Sequence, residues 1–143
     1  NYDYLLVKES TYEKKYSKFD FLETKNKHYS FERYFHFTND YEFTISEAKG
    51  NWQDNMGNYG KSRILFYIEN EKNGKAYIKG LGQLDDQINN KFWFIPVRKS
   101  DQNAGVGKIN FIDVPKNYKF LLKSNCNYAI NYFENRSFMQ IIL

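Results

Sequence analysis

The clearest alternation of apolar and polar positions lies in the middle of the chain, in the segment RILFYIE from Arg63 to Glu69. A second apolar-rich segment, KAYIKGLGQL from Lys75 to Leu84, follows after the short connection NEKNG. Because the Asn73-Gly74 pair can adopt the positive φ angles of a tight turn, the two segments are predicted to form an antiparallel hairpin. The two glycines that flank Leu81 predict a β-bulge, or a place where another backbone or a ligand comes close.

Comparable patterns predict further strands along the chain. They cover Tyr2–Ser10, Tyr41–Ser46, Lys91–Arg98, Lys108–Val114 and the terminal segment RSFMQIIL, with Pro96 indicating an edge or a bend. The spacing of Tyr12, Tyr16 and Phe19 predicts one short helix, and a second is placed around Tyr128 to Phe133. About six or seven strands with no βαβ alternation predict a mainly β fold, a small closed or half-open β-barrel with one or two short flanking helices.

Composition agrees with a single β-rich domain over residues 1–143. Aromatic residues make up 20% of the 143 residues and apolar residues 41%, which favours strands and suffices for one core. The chain begins at Asn1 and ends on the apolar FMQIIL, so we expect a domain cut from a longer polypeptide.

The chemistry-bearing residues exclude several classes of protein. Cys126 is the only cysteine, and the two histidines, His28 and His36, have no zinc-ligand spacing, so we expect no disulfide, no metal and no other cofactor. No apolar run approaches the roughly 20 residues that cross a bilayer, and no signal peptide opens the chain. These features predict a cytoplasmic protein with no membrane partner.

The stretch GNWQDNMGNYG, from Gly50 to Gly60, reads as a loop of amides and glycines around Trp52. A tryptophan with such neighbours is poor core material, so Trp52 is predicted to be partly exposed on the wall of a concave site. The other members of the predicted pocket offer amide groups or an opposite aromatic wall, and they are Asn51, Gln53, Asn55, Tyr67 and Trp93. The alternative is that Trp52 plugs one mouth of the barrel and Trp93 lies in the core.

The net charge of +4 and the pI near 9.0 are modest for a protein that binds nucleic acid. The placement of the cationic residues is more informative than the net charge, because cations flank the two tryptophan segments. The predicted phosphate-binding residues are Lys61, Arg63, Arg98, Lys99 and Arg136. The alternative is that these charges only keep an aromatic-rich surface soluble.

The order of the elements resembles the EVE and YTH members of the PUA-like superfamily. The segments that carry this resemblance are YDYLLVKES, NWQDNMGNYGKS, LFYIENEKNGKAYIKGLGQL, FWFIPVRK and ENRSFMQII. It implies a pseudobarrel that binds nucleic acid with a modified or flipped base, in some cases as the specificity domain of a restriction system, fused to or partnered with a nuclease or motor domain. The long insertion between Ser10 and Lys49 departs from that family. The plant-type DNA-binding barrels would show a similar strand order.

The sequence therefore predicts a non-catalytic domain that binds nucleic acid, chiefly DNA, through an aromatic pocket and a basic rim. One alternative is a protein-interaction module of the immunity or adaptor type, with exposed tyrosines as anchors. Another is a magnesium-dependent nuclease of the PD-(D/E)xK type, with Glu47 and Lys49 as its E-x-K half. That alternative needs a second acidic residue, and Asp40 is too close along the chain to supply it, which leaves Asp20 or Glu32.

Overall fold

The computed structural model describes the backbone of residues 4–16, 42–70, 74–101, 104–133 and 136–142, and side chains over 43–70, 74–101, 104–131, 139, 141 and 142. Within these ranges the regular structure is β-strand apart from one 3-10 helix. The strands are β1 (Tyr4–Tyr16), β2 (Glu42–Asp54), β3 (Tyr59–Asn70), β4 (Ala76–Asp86), β5 (Lys91–Ser100), β6 (Ala104–Asp113), β7 (Cys126–Phe133) and β8 (Arg136–Ile142), and the 3-10 helix (Lys116–Lys123) lies between β6 and β7.

Each strand pairs antiparallel with the next, and β8 pairs with β1, so the sheet closes into a barrel. The prediction of a mainly β barrel is confirmed. The predicted hairpin is confirmed as well, because β3 and β4 pair from Gly60–Asp86 to Asn70–Ala76. Gly74, before β4, has the positive φ of 80° predicted for it, while Asn73, the other residue of the predicted turn, lies outside the described residues.

Alternation along each strand separates the core from the outer surface. On β3, Ser62, Ile64, Phe66 and Ile68 are buried, while the residues between them face outward. Side chains fill the interior of an eight-stranded barrel unless a cavity is built for a ligand. Here the space between Phe66, Arg98, Tyr128 and their neighbours is about 20 Å³, enough for about one water molecule.

Glycine makes room in this core where the sequence predicts a close approach. Gly82 of β4 is buried directly beside the Phe94 ring of β5, and a Cβ on residue 82 would overlap that ring. The predicted approach of another backbone is confirmed at Gly80, where a Cβ would overlap the Leu65 carbonyl oxygen. The irregular register lies elsewhere, between Trp93 and Phe94 on the β6 side.

The two ends of the barrel differ. At one end, which we call the helix end, the turns 54–58 and 86–90 and the 3-10 helix connect the strands. The helix lies across this end: Leu121 is buried in the core, and the Tyr118 ring packs on Phe92 with ring centroids 4.9 Å apart. At the other end, which we call the loop end, β1, β3, β5 and β7 finish.

The two turns at the helix end are built alike, each around a buried aspartate. Asp54 Oδ1 accepts the backbone N–H of Asn58 at 2.8 Å, and Asp54 Oδ2 accepts the Asn58 side-chain amide at 2.8 Å. Asp86 and Asn90 repeat these two bonds at 2.8 and 2.9 Å. Buried carboxylates that accept several hydrogen bonds are satisfied within the turn itself, so both turns are held in one conformation.

Several sequence predictions of elements are wrong. Tyr12 and Tyr16 belong to β1, and Tyr128 to Phe133 belong to β7, so neither segment is a helix; Phe19 lies outside the described residues. Aromatic residues four apart lie on one face of a strand as well as of a helix, which made the spacing ambiguous. Of the two possibilities given for Pro96, the edge is wrong, because Pro96 lies within a paired strand of a closed barrel. The β4–β5 pairs skip from Lys79–Val97 to Gly82–Phe94, where proline has no N–H to donate.

No helix in the described part of the chain has the length and hydropathy to cross a bilayer.

Candidate functional site

Trp52 lies in β2 and points into the barrel, with only 2% of its surface exposed. Its indole Nε1 donates to the carbonyl oxygen of Asp85 at 2.9 Å, and its ring meets the Phe92 ring edge-on at 6.0 Å. The predicted exposure of Trp52 is therefore wrong, and the residue plugs the helix end. The physical reason is strand alternation: the exposed Asn51 and Gln53 flank Trp52 because they face the opposite side of the sheet.

The predicted aromatic partners of Trp52 lie outside the barrel. Trp93 of β5 and Tyr67 of β3 are half-buried on the outer surface. The Tyr67 ring stacks on Phe43 with centroids 5.5 Å apart, and burial raises the pKa of its hydroxyl. Because the barrel wall separates Trp52 from both residues, the three aromatics do not form one pocket.

A different concavity lies on the outer surface of β2, β3 and β4, and we call it the outer groove. Its volume is about 510 Å³, and it is lined by Lys49, Gly50, Asn51, Lys61, Ser62, Arg63, Gln83 and Asp85. The register explains how these residues meet. Lys49, Arg63 and Gln83 are neighbours across the three strands, and Asn51, Lys61 and Asp85 form the next outward row.

One carboxylate holds two of the three cations of the outer groove. Glu47 Oε1 lies 2.8 Å from Lys49 Nζ and 3.3 Å from Arg63 Nε. The hydrogen bond from Lys49, with smaller contributions from Arg63, keeps the pKa of Glu47 below its ordinary value against the opposing effect of burial. Such partly exposed pairs contribute little to stability, but they hold the Lys49 and Arg63 side chains against the same wall.

Asp85 connects the outer groove to the core. Its side chain accepts a hydrogen bond from Gln83 Nε2 at 2.6 Å and lies 3.6 Å from Lys91 Nζ, while its backbone carbonyl holds the Trp52 indole. Lys61 faces outward in the same row, between Asn51 and Asp85. The groove thus presents three cations and two amides around one carboxylate, a donor-rich surface that suits an anionic ligand.

The predicted phosphate-binding residues divide by face and position. Lys61 and Arg63 lie in the outer groove, as does Asn51 of the predicted pocket. The prediction that Arg98 binds phosphate is wrong, because its side chain occupies an inward position of β5 and is only 2% exposed. Its guanidinium donates inside the loop end to Ser100 Oγ at 2.7 Å and to the Asp101 carbonyl at 2.6 Å.

The remaining predicted residues lie away from the groove. Lys99 is exposed, but in the strand register it lies opposite Tyr77 near the loop end. It is about 20 Å along β5 from Trp93, which lies beside the groove residue Gln83. Asn55 is half-buried in the first turn of the helix end, and Gln53 is exposed beside Tyr59. Arg136 begins β8, where its backbone pairs with Phe133 of β7, and its side chain is outside the described part of the structure.

Sequence reasoning missed Gln83 and Asp85 as groove residues, and it considered Lys49 only as a nuclease lysine. A usable signal was present, because outward positions two residues apart on three consecutive strands must form adjacent rows. Counting from the last β3–β4 pair, Asn70–Ala76, places Gln83 beside Arg63. A two-residue turn at Asn73-Gly74 would have paired Arg63 with Leu84 instead, so the predicted turn alone does not give this register.

The nuclease alternative gains no support from the geometry of Glu47. That carboxylate lies within β2, bonded to Lys49 and Arg63, and the described part of the chain holds no group of three or more His, Cys, Asp or Glu side chains arranged to bind a metal. The other acidic residues considered, Asp20, Glu32 and Asp40, lie outside the described residues.

No protein-family model, no curated protein and no solved structure matches this chain. The resemblance to the PUA-like superfamily therefore stays a prediction.

Proposed function

We propose that this protein is a non-catalytic nucleic-acid-binding domain and that the outer groove is its binding surface. The observation that carries the proposal is the convergence of Lys49, Lys61 and Arg63 from adjacent strands into one open concavity of about 510 Å³. Arginine and lysine on a concave surface bind phosphates and release condensed counterions, which supplies most of the affinity for a nucleic-acid backbone.

Two further features support nucleic acid over a small anion. The side-chain amides of Asn51 and Gln83 lie among the cations and can donate to and accept from base edges. Trp93 is half-buried on the outer surface directly beside Gln83 in the register, so its exposed part offers a face on which a base can stack.

The position of the groove also agrees with an elongated ligand. The barrel interior leaves about 20 Å³ among the residues around Arg98 and Tyr128, too little for any base or sugar. The outer groove runs across three strands and is open to solvent, as a polymer that extends beyond the protein requires.

The experiment compares the salt dependence of DNA binding in two matched double variants. Lys61→Ala with Arg63→Ala removes two groove cations; Lys79→Ala with Lys108→Ala removes two exposed cations elsewhere on the barrel wall. Fluorescence anisotropy with labelled single-stranded and duplex DNA is measured over a salt series. We expect the groove variant to bind more weakly, with a slope of log K against log salt smaller by roughly 1.4–1.8, and the control variant to keep the parent slope.

The outcomes are distinct. A groove variant with the parent slope would overturn the proposal, since its cations would then hold no phosphate. Binding of the parent that does not change with salt would also overturn it and would favour the protein-interaction alternative, because an aromatic-centred protein interface depends far less on ionic strength.

A further inference from the structure

The helix end of the barrel exposes an unusual set of large apolar side chains. Met56 and Ile88, at the tips of the two aspartate-anchored turns, are 60% and 71% exposed. Phe120 and Leu122, on the outward side of the 3-10 helix, are 49% and 44% exposed. We call these four residues the tip surface. Single exposed apolar residues are normal in proteins, but a group at one end of the molecule marks an interaction site.

Hydrogen bonds hold the elements that carry the tip surface side by side. Gln87 Nε2 donates to Asn58 Oδ1 at 3.2 Å, and the backbone N–H of Tyr59 donates to Gln87 Oε1 at 3.1 Å, so the two turns are joined. The Asn58 amide also reaches the Tyr118 hydroxyl at 3.3 Å, which joins the first turn to the helix. The tip surface is therefore displayed by one connected unit.

The charge around the tip surface is positive. The 3-10 helix carries three exposed lysines, Lys116, Lys119 and Lys123, and no acidic residue. The two turn carboxylates, Asp54 and Asp86, are buried at 8% and 7% exposure and directed at their own turns. Among the described residues, Asp113 adds one exposed carboxylate next to the helix.

We propose that the helix end docks on an anionic lipid bilayer, with the tip surface entering the headgroup region and the helix lysines contacting the lipid phosphates. Leucine and phenylalanine beside lysine form the pattern by which short segments bind membrane interfaces. Lysine is depleted at protein–protein interfaces, which makes a protein partner a poorer fit. The expectation of no membrane partner rested on the lack of a spanning segment, and docking on a surface needs none.

The test is co-sedimentation of the full chain with vesicles of phosphatidylcholine alone or mixed with phosphatidylserine. We expect binding to the mixed vesicles and much weaker binding to pure phosphatidylcholine. Met56→Ser with Ile88→Ser should reduce the affinity for mixed vesicles at least about tenfold, because two inserted apolar side chains are lost. Lys119→Glu with Lys123→Glu should reduce the affinity for mixed vesicles by at least roughly fivefold for each lysine replaced.

Two controls separate this surface from the rest of the barrel. Val106→Ser removes a 65% exposed apolar side chain on β6, towards the loop end, and should leave vesicle binding unchanged. Lys79→Ala with Lys108→Ala, which removes two exposed cations outside both the groove and the helix end, should also bind vesicles like the parent. Thermal unfolding of each variant checks that these substitutions at exposed positions leave the fold intact.

The proposal is overturned if the parent does not bind mixed vesicles, which would leave the tip surface to a protein partner. Equal binding to both kinds of vesicle would overturn the role of the lysines. Equal losses in Val106→Ser and in the tip variant would show that binding does not use the helix end.

Discussion

The Trp52 indole donates its hydrogen bond to the carbonyl of Asp85, so a core side chain of β2 is tied to the backbone of β4 across the intervening β3. Gly60 of β3 lies between them, and a Cβ on residue 60 would overlap the Asp85 oxygen. The same Asp85 lines the outer groove with its side chain. One residue thus links the plug of the barrel to the groove that we propose as the binding surface.

Trp52→Ala should destabilise the fold much more than Trp93→Ala. Truncating a fully buried aromatic leaves a cavity and costs roughly 3–5 kcal/mol of unfolding free energy. Trp93 is half-buried on the outer surface, and its truncation should cost about 1 kcal/mol. Urea denaturation of both variants measures the difference. Equal losses would contradict the placement of Trp52 as a plug.

Gly60→Ala should also lower the unfolding free energy, because the added methyl group meets a backbone oxygen that cannot rotate away. We expect a loss of about 1–3 kcal/mol, as for other overpacked sites. Ser62→Ala is a matched control on the same strand. Ser62 Oγ is buried and has no hydrogen-bond partner among the described residues, so its removal should be neutral or slightly stabilising. Thermal or urea unfolding checks both, and a neutral Gly60→Ala would contradict the close approach.

Glu47→Gln should strengthen nucleic-acid binding at neutral pH, the reverse of the effect expected for the groove cations. Its carboxylate holds Lys49 and Arg63, so its neutralisation frees both for phosphates and should raise the affinity by up to about fivefold. Anisotropy with the same labelled DNA measures the change. A weaker-binding variant would show that Glu47 orients the cations rather than competing for them.

The same pair gives a pH dependence with a defined sign. Since the folded pKa of Glu47 is lowered, its ion pairs stabilise the fold above the ordinary carboxyl pKa and are lost as the pH falls through the lowered value. The affinity difference between the parent and Glu47→Gln should shrink over that same acidic range, because the parent carboxyl then becomes neutral too. A difference that stays constant with pH would contradict this assignment.

The fold class follows from the sequence because strand alternation and turn chemistry are local. The alternation of Arg63 to Glu69 and the positive φ of Gly74 agree with the β3–β4 hairpin, and the glycines of β4 correctly indicate close contacts. Closure through β1 and β8 depends on pairs such as Leu6–Gln140, far apart in the chain, and no local pattern reports it.

The candidate site was only partly predictable, for a similar reason. Lys61 and Arg63 were identified because they lie in the strongest strand pattern. The exposure of Trp52 was predicted wrongly because its polar neighbours suggest a loop. In the structure β2 continues to Asp54, so Trp52 lies within a strand. Arg98 was misread because a charged residue is normally placed outside, whereas the alternation on β5 points it inward, where Ser100 and the Asp101 carbonyl accept its hydrogen bonds.

The alternation on β3 and β4 also bears on how this protein can change over evolutionary time. Residues that face the groove, such as Arg63 and Gln83, are interleaved along the same strands with Ile64 and Leu84, which are buried in the core. Selection can therefore alter ligand preference at every second position while leaving the packing untouched. Randomising the outward positions of β2–β4 should yield folded barrels of diverse binding behaviour, which makes the wall a natural scaffold for engineered recognition.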